Sequence, residues 1–138
     1  MTVVRSAYGA FDALNWIRVS ISAGTFVKEV FVATNTLGDG SVWDIALSKD
    51  PQPKYLFLAD GKNEKLYIML RETMEILTSF GAGGRQPGQW FAVHSIAVDS
   101  KGNIFTTETY EGRRLQKFVS QGLAPVTKKD QDTVWPAR

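Results

Sequence analysis

The chain contains no cysteine. That excludes disulfides, cysteine-based zinc sites and a thiol nucleophile. It contains one histidine, His94. A serine beside a single histidine is no constellation, so no Ser-His-acid triad is read. No stretch approaches the roughly 18 apolar residues that a spanning helix needs, so no membrane partner is expected. No apolar segment follows Met1–Arg5, so no signal peptide is read and the chain as written is expected to stay in the cytoplasm. Charge of one sign is also lacking. The net charge is +2, and no Lys/Arg run is interleaved with stacking aromatics, so no nucleic-acid partner is expected. Gly81-Ala82-Gly83-Gly84 is followed by no Lys-Ser/Thr and opens no helix, so it is not a phosphate-binding loop.

What is present is a β-rich, self-similar pattern. Of 138 residues, 43% are hydrophobic and 12% aromatic, which fits one globular domain over 1–138. Short apolar runs alternate with turn signals throughout. Asp50-Pro51-Gln52-Pro53 breaks the chain, because proline removes a ladder donor and fixes φ. Asp60-Gly61-Lys62-Asn63 and Ser100-Lys101-Gly102-Asn103 read as hairpin connections, with Gly and Asn tolerating positive φ. Thr2–Arg5 and Trp16–Ile21 read as further strands. Ser6–Leu14 carries a weak helical signal, an N-cap serine with Ala7, Phe11 and Leu14 at helical spacing.

Two copies of one unit follow, Phe26–Met69 and Ile76–Phe118, with a period of ~50 residues. Val42–Leu47 matches Val93–Val98, Tyr55–Asp60 matches Asn103–Glu108, and Lys65–Met69 matches Arg114–Phe118. Val42–Leu47 and Val93–Val98 carry little polar character, which suits innermost strands packed on both faces. The repeat predicts an all-β fold, a partial β-propeller of about three four-stranded antiparallel blades. Its divisions are a partial first blade over 1–24, a second over 25–74, and a third with the C-terminal tail over 75–138. Propellers close with roughly 4–8 blades, so this chain is expected to complete a six-bladed ring by homodimerisation.

The residues also resemble an NHL-type β-propeller. The resemblance rests on Gly84-Arg85-Gln86-Pro87-Gly88-Gln89-Trp90, Ile96-Ala97-Val98-Asp99, Gly102-Asn103-Ile104-Phe105, Glu108, and Arg114-Leu115-Gln116-Lys117-Phe118. It covers about 26–118 and matches residues 1–24 poorly. With blade strands lettered a to d from the centre outward, the chain reads b-c-d, a-b-c-d, a-b-c, and Pro125–Trp135 can add a last edge strand. The resemblance implies a non-catalytic module binding a small molecule or peptide, whose longer relatives are secreted in some cases.

The candidate ligand-binding residues lie at the channel mouth: Trp43, Asp44, Arg85, Trp90, Phe91, His94 and Glu108. Each also has a plainer structural reading as a packing anchor, a salt bridge or a solvated charge. Arg85-Gln86-Pro87-Gly88-Gln89-Trp90 with Val93-His94-Ser95 is distantly similar to the peptidyl-hydroxyglycine lyase branch. There a His-Ser or His-Gly pair on several inner strands supplies zinc ligands. Only His94 carries over, because Trp43 holds the matching position in the other repeat. No cofactor is therefore expected, with zinc or calcium at His94 as the alternative, which would make a metal-dependent lyase- or hydrolase-like propeller. A third reading is a gene fragment of a longer propeller with no selected activity.

Overall fold

The computed structural model describes residues 2–4, 15–20 and 23–131, the first three by their backbone alone. The weak helical signal at Ser6–Leu14, Ile21 and residues 132–138 lie outside these. Among the described residues there is no helix, and so none long and apolar enough to cross a membrane. The first sheet is β1 (Thr2–Val4), β2 (Trp16–Ser20) and β3 (Phe26–Phe31), in that order. The second is β4 (Asp44–Leu47), β5 (Tyr55–Asp60), β6 (Lys65–Leu70) and β7 (Ile76–Phe80). Residues 81–92 hold a short parallel pair, β8 (Ala82–Gly83) and β9 (Gln89–Trp90). The third sheet is β10 (Val93–Val98), β11 (Ile104–Glu108) and β12 (Leu115–Phe118). All three sheets are antiparallel.

The second sheet is apolar on both faces, and the alternation of β5 shows why. Successive side chains of a strand point to opposite faces. Leu56 and Leu58 join Ile17, Val19 and Val32 in a first core, between the first and second sheets. Phe57 and Ala59 join Trp90, Val93, Ile96 and Ile104 in another, between the second and third. The middle sheet is thus covered on each side by a neighbour.

The sequence period and the sheets are out of phase by one strand. β3 pairs with β2, and β7 with β6, so the strands just after residues 25 and 75 belong to the preceding sheets. The register also reveals a likeness that the side chains of residues 1–24 hide. A β-bulge between Val19 and Ser20 interrupts the β2–β3 ladder, and one between Ile68 and Met69 interrupts β6–β7. The two lie one repeat apart, and five residues connect the paired strands in each case. A bulge twists and bends its strand, so conserving its place conserves the sheet's shape. The β2–β3 pair therefore repeats the backbone pairing of β6–β7 with different side chains.

Two expectations are corrected. β10 is not packed on both faces. His94 and Ala97 are exposed, because among the described residues nothing covers the third sheet's outer face. The C-terminal tail does add an edge segment, but to the second sheet rather than the third. Ser79 donates to Lys129 O (2.8 Å) and Gln131 N donates to Ser79 O (2.8 Å), a parallel bridge on the outer edge of β7. Asp130 seals it with an ion pair to Lys65 at 2.7 Å.

Candidate functional site

Strands β4 and β10 begin, and β5 and β11 end, at one end of the stacked sheets, and the candidate residues gather there. Trp43 directly precedes β4. Its indole N–H donates to Gly40 O at 2.9 Å, and its ring meets the His94 ring edge-on, centroids 5.7 Å apart. Gly61 makes this possible by close approach rather than by positive φ. A Cβ there would stand 2.3 Å from the Trp43 ring and 2.5 Å from Val93 O. His94 is the extra residue of a bulge between Val93 and Ser95, which turns its imidazole outward. Its Nδ1 lies 3.2 Å from Ser95 Oγ. Trp43, half-buried, and His94, exposed, thus stand ring against ring at this end of the sheets.

The other candidates serve the frame. Asp44 accepts from Ile45 N (2.9 Å) and from Ile96 N (3.0 Å), so it ties the second sheet to the third. Glu108, with its side chain 1% exposed, pairs with Arg114 at 2.7 Å and accepts from Phe91 N at 3.2 Å. Arg114 also donates to Arg85 O and to Gln89 O, which fixes the 81–92 loop. The Arg85 guanidinium lies over the Phe91 ring, 5.0 Å from its centroid, at the rim. Trp90 is 0% exposed; it packs against Phe80 and Phe118 and donates to Thr106 Oγ1 at 3.0 Å. It offers no surface to a ligand. Its place in the motif comes from packing.

Sequence reasoning passed over two carboxyls at the same end of the sheets. Asp60, fully buried, accepts from the amides of Lys62 (3.2 Å) and Asn63 (2.9 Å) and from the Asn63 side chain. Glu64 Oε1 accepts from Ala92 N at 2.7 Å, a second tie between sheets, while Oε2 is buried without a hydrogen bond. The acidic strand end at Glu108 was the available signal, since Asp60 holds its matching place in the other repeat. Burial pushes the Asp60 carboxyl up from its ordinary 3.8, against the hydrogen bonds that favour its charged form. Burial likewise raises Glu64 from 4.5; the amides of Ala92 and Val93 oppose the shift, and the charges of Glu108 and Asp60 add to it. Tyr67, beside Asp60, is pushed up to about 12, first by burial.

The sign for stability follows from proton uptake. A carboxyl with a raised folded pKa binds more proton in the fold than in the open chain. Its contribution is therefore present below the unfolded value and is lost as pH rises through the folded pKa. Urea midpoints are expected to fall as pH rises from 4.5 toward neutrality on account of Glu64. Glu64→Gln keeps the acceptor for Ala92 and should flatten that part of the profile. An unchanged slope in the variant would remove Glu64 as its source.

Among the described residues one groove is lined by Gln52–Lys54 and Leu70–Thr73, one by Phe31, Ala33–Thr36 and Asn63, and one by Tyr55, Phe57, Lys101 and Leu123 among others. Among the described residues no three His, Asp or Glu side chains converge as metal ligands. No protein-family model matches the sequence, and no curated protein matches it.

Proposed function

We propose that this chain is half of a six-bladed NHL-type β-propeller, a non-catalytic module that pairs with a second copy of itself to close the ring. The observation that carries the reading is the 3-4-3 distribution of strands over stacked sheets, with a middle sheet covered on both sides and two end sheets covered on one. On this reading the first sheet lacks its innermost strand and the third its outermost.

The uncovered faces support it. On the third sheet, Ala97, Phe105 and Leu115 hold the repeat positions of Ala46, Phe57 and Leu66, which in the second sheet face the neighbouring sheet and join its core. Leu115 is nevertheless 64% exposed. On the first sheet, Phe26 holds the place of Ile76, which packs on the first core, and is 53% exposed. Side chains retained at packing positions but left in solvent fit a face that another blade covers. In the ring each chain's third sheet would meet the other's first sheet, twice, and the Trp43–His94 pair of each copy would flank the shared channel. A small molecule or peptide with a flat or cationic group would find stacking surface there.

Light scattering over a dilution series tests the assembly. The expected mass is twice the 15.3 kDa of one chain, and Leu115→Glu should convert it to monomer. A wild-type protein that stays monomeric when concentrated would overturn the ring.

A further inference from the structure

We infer that the open edge of β12 is a strand-addition site for an extended acidic segment of another protein. β12 ends its sheet, and among the described residues no strand lies on its far side. The edge is a built slot, because the chain fills the equivalent position twice. β3 occupies it beside β2, and β7 beside β6. The backbone is correctly presented. Glu108 N donates to Arg114 O, so Arg114, Gln116 and Phe118 bond inward to β11. Leu115 and Lys117, which alternate with them, turn their N–H and C=O groups outward.

The chain's own continuation does not take the slot. Residues 124–129 would enter it after a five-residue connection of the kind seen twice before. Instead 128–131 cross to β7, where Asp130 finds Lys65. The tail so placed leaves Val119, Leu123 and Val126 exposed. β12 is thus left open, and its charge states what fits it. Lys117 stands exposed at the centre of the strand, its ammonium 5.4 Å from the Phe105 ring centroid. Arg113 is exposed just before the strand. Asp99, on which the Lys117 charge acts, is bonded by Asn103 and by the Lys101 amide. An extended segment with Asp or Glu opposite Lys117 and an apolar residue opposite Leu115 would gain one main-chain ladder to the outward groups of these two residues and a cross-strand ion pair.

The main-chain groups of the slot lie on the sheet edge, whereas the side chains of Leu115 and Lys117 share the outer face that would close a ring, so the mass of the protein is measured alongside peptide binding. The probe is a synthetic peptide repeating Val-Thr-Glu-Thr, which sets valine and glutamate in turn along one face, compared with its Val-Thr-Lys-Thr counterpart. Binding is followed by fluorescence anisotropy and by hydrogen exchange of the full chain. The glutamate peptide is expected to bind and to slow exchange at Leu115 and Lys117, with the lysine peptide weaker by about fivefold or more. Lys117→Glu should invert that preference. Failure of both peptides to bind would overturn the inference. So would binding that leaves the β12 amides unprotected, or a preference that Lys117→Glu leaves unchanged. Peptide binding by a monomer would keep this inference while refuting the ring, and a dimer indifferent to both peptides would do the reverse.

Discussion

Arg114→Ala is expected to destabilise the protein by about 3 kcal/mol, toward the lower end for breaking a buried ion pair because one partner is partly exposed. The reason lies in what the substitution leaves behind. The Glu108 side chain is 1% exposed and Arg114 28%. Without the guanidinium, Glu108 would keep a buried charge answered only by the Phe91 amide. The substitution also frees the carbonyls of Arg85 and Gln89, which Arg114 holds. The planar fork matters as well as the charge, since Nε and Nη2 each reach a different Glu108 oxygen, at 3.1 and 2.7 Å. Arg114→Lys should therefore recover only part of the loss. Adding Glu108→Gln to Arg114→Ala should recover part by another route, by removing the stranded charge. Urea unfolding of the four proteins tests this. A loss below about 1 kcal/mol for Arg114→Ala would mean that solvent reaches Glu108 and that the pair is a surface one.

This pair shows what the sequence could and could not reveal. Glu108 and Arg114 were visible as elements of the repeat motif, and a salt bridge was the plainer reading of Glu108, yet nothing in the sequence paired the two. Their burial depends on the 81–92 loop folding over them, and that loop is positioned by the same arginine. Strand positions from Tyr55 to Phe118 were legible because each apolar run is short, alternating and bounded by Gly, Pro or Asp. The strands before residue 25 were legible only as apolar runs. Their kinship with the second sheet lies in the bulge at Val19/Ser20 and in pairing register, and neither leaves a mark on residue type. The tail's destination was hidden for a different reason. Pro125–Trp135 fits an edge strand, but the edge that its described part takes is marked by Lys65, a lysine of another sheet that pairs with Asp130. His94 was placed correctly at the start of its strand, while the bulge that turns it outward was not foreseeable from Val93-His94-Ser95.

Trp90 is the clearest case of a residue whose chemistry suggested a ligand site and whose surroundings assign it to the core. Trp90→Ala is expected to cost about 3–5 kcal/mol, the range for emptying a large aromatic site. The cavity would open between Phe80, Phe118 and Thr106, and the Thr106 hydroxyl would lose its indole donor. Gly81 sharpens the test. Its φ is +101°, a region that L side chains rarely adopt, and a Cβ there would stand 1.9 Å from Trp90 Cζ3. Gly81→Ala therefore carries two penalties, a backbone one of about 1–3 kcal/mol that is independent of Trp90 and a steric one that exists only while the indole is present. The two substitutions should couple. Gly81→Ala is expected to cost less in the Trp90→Ala background than in the wild type, by at least about 1 kcal/mol, the scale of coupling between residues in contact. A double-mutant cycle by urea unfolding measures this directly. Equal costs in both backgrounds would mean that the indole does not rest against Gly81, and the second core would then have to be packed around Trp90 in some other way.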